Sequence, residues 1–139
     1  MNRSLIVQDL KRHEGFVPHA YQDHLGYWTL GTGFLIDQRK GGAIPQAVND
    51  FWLDYNIIQI ESELRQRLTW WVTLSPNRRR AMVNMAYQLG VTGLMRFERM
   101  LAALERRDWA AAHAEALDSD WAVQTPERAR EVAEWLRTE

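Results

Sequence analysis

The sequence of 139 residues contains no cysteine, which excludes disulfides and thiolate metal sites and leaves the fold to be held by its core. It also lacks an excess of either charge. Seventeen lysines and arginines face 18 aspartates and glutamates, a net charge of −1, so no long-range field draws the molecule to nucleic acid or to an anionic membrane. Long hydrophobic runs are missing too: the opening "MNRSLIVQDLKRHEG" offers only Leu5, Ile6 and Val7 in succession before Gln8 and Asp9, too few for a signal-peptide core or a membrane span. A soluble chain made in the cytoplasm, without membrane insertion, is the expectation. Tryptophan, by contrast, is plentiful, with seven residues; it serves either as core filling or as a flat platform for sugars and bases. The length suits one domain with a proper core.

Helix signals punctuate the chain. Ser4 can cap Leu5, Ile6, Val7 and Leu10, and Gly15 stops that helix after Glu14, so residues 4–14 read as helical. The next stretch, "AYQDHLGYWTLGTGFLI", mixes aromatic and β-branched residues around "DHLG", where Asp23 and Gly26 suit a type I turn; a small antiparallel sheet follows. Gly41 and Gly42 break the pattern, and Pro45 opens a periodic run to Leu68 that is roughly 35 Å long if helical. Its apolar set drifts from Val48, Phe51, Trp52 and Tyr55 to Ile57, Ile60, Leu64 and Leu68, as expected of a helix that serves one lobe and then another. Ser75 and Pro76 start a helix ending at Gly90. Asp108 caps residues 109–117, and Thr125 with Pro126 starts a last helix facing inward through Ala129, Val132, Ala133 and Leu136.

The expected fold class is therefore α+β, mostly α. A small hairpin lobe spans about residues 12–55, a bridging helix about 46–68, and a helical lobe about 69–139, with the helix over 4–14 near a cleft between them.

Two carboxylates stand out in "RHEGFVPHAYQDHLGYWTLGTGF". Glycosidic bond cleavage needs a proton for the leaving oxygen and a nucleophile delivered to the other face of the sugar, and two carboxyls in unlike surroundings suffice. Glu14 sits at the negative end of a helix, where a protonated carboxyl is favoured over a charged one. Asp23 sits at a solvated turn that favours the carboxylate. Thr29, across that turn, has a hydroxyl able to hold a water against Asp23, and Gly31 and Gly33 leave bare backbone for a ligand to approach. Taken singly, a glutamate before a glycine cap is an ordinary surface residue, and an aspartate in a turn is ordinary turn chemistry.

The segment from "HEG" to "YQDHLGYWTLGTG", with the aspartate nine residues after the glutamate, resembles the active-site stretch of the phage-type lysozymes, the T-even bacteriophage endolysins of glycoside hydrolase family 24. "RRRAMVNMAYQLGVTG", "ALERRDWAAAH" and "SDWAVQTPERAR" resemble successive stretches of that family's C-terminal lobe. The resemblance implies a two-lobed lysozyme-like fold and cleavage of peptidoglycan between N-acetylmuramic acid and N-acetylglucosamine, with Glu14, Asp23 and Thr29 as the catalytic positions; an acid and a held water on opposite faces would then invert the anomeric centre. It places Arg128 beside Glu14 as a supporting residue, and Leu35, Tyr87 and Gln88 along the saccharide groove. For Gln88 a hydrogen bond to the Trp121 indole is the equal alternative. No cofactor is implied, and a monomer is expected. Without a leader, such an enzyme would reach the periplasmic face of the wall through a membrane lesion made by a holin. One departure concerns Phe34, which stands where the family often has a histidine; it is expected to pack on an aromatic such as Tyr55.

Other signals are weaker. His13, His19 and His24 lack metal-ligand spacing. Arg78, Arg79 and Arg80 read as a solvated helix face that could also meet an anionic wall polymer. The rival functions are a lytic transglycosylase, which needs only the glutamate and leaves 1,6-anhydro ends, and a non-catalytic wall-binding relative. A helical nucleic-acid-binding module is a third, disfavoured by the near-zero net charge.

Overall fold

The computed structural model describes residues 3–36 and 42–139; Gly41, one of the two expected breakers, lies outside them. Among the described residues there are seven α-helices and one three-stranded antiparallel sheet, the α+β and mostly helical class expected. The chain divides into two compact units, Met1–Phe51 and Trp52–Glu139. No helix among the described residues is long and apolar enough to cross a membrane.

In the first unit, α1 (Arg3–Glu14) ends as its sequence dictates. Gly15 turns to φ 72° and its N–H bonds the Lys11 carbonyl at 3.0 Å, a left-handed stop that a side chain would resist. The apolar residues of α1 are solvent-facing, with Leu5, Ile6, Val7 and Leu10 all exposed. Strands β1 (Val17–Gln22), β2 (Trp28–Gly31) and β3 (Phe34–Leu35) pair in that order. Tyr21 opposes Thr29 and Gln22 opposes Trp28, and on the other side Thr29 opposes Leu35. An irregularity between Val17 and Tyr21 bends β1. The Asp23 to Gly26 turn closes by a Gly26 N–H to Asp23 carbonyl bond of 2.9 Å.

Helix α2 (Gln46–Arg67) contains the boundary between the units. The Pro45 carbonyl takes the N–H groups of Val48 and Asn49 at its start, both at 3.1 Å. Late in the helix Leu64 is fully buried, and Leu68, just past its end, nearly so. Val48, Phe51, Trp52 and Tyr55 are exposed.

The core belongs to the second unit. Leu64, Trp71, Met82, Met85, Leu94, Met100, Leu104, Val132 and Leu136 are its largest fully buried side chains, and each buried aliphatic of this size contributes roughly 1.5–3 kcal/mol. A 3-10 turn at Trp71–Thr73 leads to α3 (Pro76–Met95), where the Ser75 hydroxyl accepts the Arg78 N–H at 3.3 Å. The expected end at Gly90 is a break at φ 77°, ψ 158°, after which the chain turns helical again to Met95. Helices α4 (Glu98–Glu105) and α5 (Trp109–Leu117) follow, the latter capped by Asp108, whose carboxylate accepts the Ala111 N–H at 3.1 Å. Ser119 caps α6 (Asp120–Gln124). The last helix, α7 (Pro126–Arg137), buries the four predicted residues. Thr125 does not cap it: its hydroxyl turns back to donate to the Trp121 carbonyl at 2.9 Å.

Of the three arginines expected on a solvated face, Arg80 is exposed, Arg79 is half-buried and Arg78 departs from it. Arg78 is buried, its Nε donating to the Leu136 carbonyl at 2.8 Å, a further N–H reaching the Arg137 carbonyl at 3.5 Å, and its guanidinium stacked 3.7 Å above the Trp109 ring. Carbonyls at a helix C-terminus lack intrahelical donors, so Arg78 closes the end of α7. Arg79 bonds the Leu74 carbonyl at 2.9 Å and Arg80 stacks 3.7 Å above Trp135.

Candidate active site

The three expected catalytic positions all fall in the first unit, each held by local chemistry. Glu14 is the last residue of α1, and its side chain lies over Gly33 in the turn between β2 and β3. A methyl built on Gly33 would stand 2.7 Å from Glu14 Oε2 and 2.9 Å from Cδ. The bare backbone that the sequence reserved for a ligand is thus already met by the carboxyl.

Asp23 folds its carboxylate over its own turn. Oδ1 accepts the backbone N–H groups of Leu25 and Tyr27, both at 2.9 Å. The Tyr27 N–H is the main reason that the Asp23 carboxyl is held below its ordinary value; partial desolvation opposes it, and the Leu25 N–H, the charge on His24 and the Gly26 N–H add to it. Hydrogen bonds to the charged form favour that form. This residue is built to stay an anion.

Thr29 is buried in the middle of the sheet, and its hydroxyl donates to the Tyr27 carbonyl at 3.4 Å. The same carbonyl receives the Asp23 N–H at 2.9 Å. One peptide group therefore ties the two residues together. Leu35, opposite Thr29 on β3, is half exposed. The Phe34 ring rests against Gly31, where a Cβ would come within 2.8 Å of it; its expected neighbour Tyr55 belongs to the second unit.

The other expected residues belong to that second unit. Tyr87 is half exposed, and with Arg128, Asn84, Leu53 and Ile57 it lines a depression of about 540 Å³. Arg128 is held by Asn84, whose side-chain oxygen accepts its Nε at 3.0 Å and whose carbonyl accepts a second N–H at 3.4 Å. Gln88 uses its carboxamide oxygen to accept the Trp121 indole N–H at 2.9 Å, so the structural alternative for this residue is realised. Sequence reasoning missed Asn84. A polar side chain between Met82 and Met85 on a helix with buried neighbours was the available signal. It also missed Gly33 as the seat of the Glu14 carboxyl.

Comparison with known proteins gives this geometry a context. The chain matches the phage lysozyme family over residues 11–133. It is similar to the probable T4-type lysozymes 2 and 1 of Dictyostelium discoideum, each 28% identical and each matched over 97% of this chain and 95% of the relative. It is also similar to the pre-baseplate central spike protein Gp5 of Enterobacteria phage T4, 27% identical over 91% of this chain but only 26% of the spike protein.

Proposed function

The chain belongs to the phage lysozyme family and is a lysozyme-type glycoside hydrolase of peptidoglycan, and within that activity we propose that Glu14 is the general acid and that Asp23 and Thr29 hold the attacking water. The bond broken is the β-1,4 link between N-acetylmuramic acid and N-acetylglucosamine. Glu14 gives its proton to the glycosidic oxygen as the bond to the anomeric carbon breaks. The water attacks the opposite face and passes its proton to Asp23, so the anomeric centre inverts.

The observation that carries this reading is the junction at Tyr27. Asp23 stays ionised because Oδ1 takes two backbone N–H groups, which suits a base rather than an acid, and among the described residues both of those bonds fall on one oxygen. Oδ2 is then the atom for the water. Thr29, tied to the carbonyl of the same residue, offers the second polar atom that a positioned water needs.

Leu35, Tyr87 and Gln88 are assigned to saccharide contacts, and Arg128 to support of the acid. The enzyme acts as a monomeric endolysin on glycan strands, made in the host cytoplasm and admitted to the periplasmic wall through a holin lesion. The test is reducing-end release from purified peptidoglycan. Wild type should generate reducing ends, and both Glu14→Gln and Asp23→Ala should lose them while remaining folded. If the products instead carry 1,6-anhydro ends and Asp23→Ala stays active, the enzyme is a lytic transglycosylase. Binding without any release would mark a non-catalytic relative.

A further inference from the structure

We propose that Gly33 is a positioning residue for the general acid, and that its missing side chain is what lets the Glu14 carboxyl reach the hairpin that carries Thr29. This rests on the reading of Glu14 as the acid. Two independent constraints meet at Gly33. Its φ of 66° is one that side chains resist. Separately, a Cβ there would stand 2.7 Å from Glu14 Oε2, 2.9 Å from Cδ and 3.2 Å from Cβ. The first constraint concerns the turn; the second concerns only residue 14.

The two are not equivalent along this chain. At Gly15, φ is 72° but a Cβ would meet nothing within 4 Å, and at Gly31 it would meet the ring of Phe34. Of these three left-handed glycines, Gly33 alone makes room for a carboxyl. With alanine at Gly33 the acid must retreat by roughly 0.7 Å or swing to another rotamer before contact becomes ordinary, and misplacement on the order of 1 Å can cost a hundredfold in rate. The loss belongs to kcat, because the acid acts in the bond-breaking step and not in holding the strand.

The experiment compares Gly33→Ala and wild type in kcat, KM and the ¹³C shift of the Glu14 carboxyl in labelled protein. The expected result is a kcat lower by about 10- to 100-fold with KM within about twofold, and a moved Glu14 signal beside an unmoved Asp23 signal. An unmoved Glu14 signal, or a kcat that follows only the fraction folded, overturns the proposal. If Gly33→Ala does not fold, the Glu14→Ala background decides. Removing the carboxyl should restore folding if the clash is with residue 14, and a chain still unfolded assigns the whole effect to the turn. Should Glu14→Gln keep full turnover, the acid assignment fails instead, whatever Gly33→Ala does to the carboxyl signal.

Discussion

Asp23 and Thr29 meet at one carbonyl: the Tyr27 oxygen accepts the Asp23 N–H at 2.9 Å and the Thr29 hydroxyl at 3.4 Å. The Tyr27 N–H closes the loop by bonding Asp23 Oδ1 at 2.9 Å. The two peptide groups that flank Tyr27 thus hold the Asp23 anion through one N–H and the Thr29 hydroxyl through the next carbonyl. The arrangement depends on strand register, since Tyr21 opposite Thr29 and Gln22 opposite Trp28 bring Asp23 to the end of β1 beside the residues that bind it.

The charge of Asp23 sets a pH dependence. Its carboxyl is held below its ordinary value of 3.8, first by the Tyr27 N–H. A base that must be ionised then keeps the enzyme active to lower pH than an unperturbed aspartate would, so the acid limb of the kcat/KM profile should fall below 3.8. The same shift makes a contribution to stability that is present above the unfolded value and is lost as pH falls through the lowered folded one. Asp23→Asn keeps an oxygen for the two N–H groups and removes the charge. Its thermal midpoint should lose this acid dependence, and its kcat should fall by about 10²- to 10⁴-fold, as read by circular dichroism and reducing-end assay.

Arg78 ties the start of α3 to the end of α7 from inside the protein. Hydrogen bonds from a charged donor to buried acceptors are worth about 1.5–3 kcal/mol each. Arg78→Ala should therefore cost about 2–4 kcal/mol in urea unfolding, since it strands the Leu136 carbonyl and uncovers the Trp109 ring. Arg78→Lys should recover only part, because an ammonium cannot span both carbonyls and stack on the indole together.

Gly90 provides a purely conformational test. Its φ of 77° and ψ of 158° lie in a region that only glycine occupies readily, and a Cβ there would meet no atom within 4 Å. Gly90→Ala should cost about 1–3 kcal/mol through backbone strain alone. Filling or emptying neighbouring side chains should not relieve it, which paired stability measurements would show.

Gln88 separates structural from saccharide duty. Gln88→Ala leaves the buried Trp121 indole N–H without its acceptor, at a cost of about 1–3 kcal/mol. Gln88→Glu keeps an acceptor oxygen and should retain most of the stability. A rise in KM shared by both variants, measured on folded protein, would assign the amide nitrogen to the sugar.

What could be read in the sequence was the chemistry that acts over a few residues. The Asp23–Gly26 turn, the Gly15 stop, the Ser75–Pro76 start, the Asp108 cap and the buried face of α7 each depend on neighbours close along the chain, and each formed where its residues indicated. Thr125 misled because a threonine before Pro126 looks like a cap, yet its hydroxyl bonds the Trp121 carbonyl four residues back. Apart from Gln88 with Trp121, 33 residues on, partnerships across long separations were invisible. Arg78 finds its acceptor 58 residues away and Arg128 finds Asn84 across 44, so a run of three arginines and a lone asparagine gave no hint of where they would be satisfied. Glu14 and Gly33 were each marked as candidates, but their mutual contact is a property of the folded hairpin.

The most direct measurement is the anomeric configuration of the newly made reducing end, followed by proton NMR in the first moments of peptidoglycan digestion. A water held by Asp23 and Thr29 on the face opposite the leaving group must yield the α anomer from the β-linked strand. A first product of β configuration, or one closed as the 1,6-anhydro sugar, would contradict that assignment.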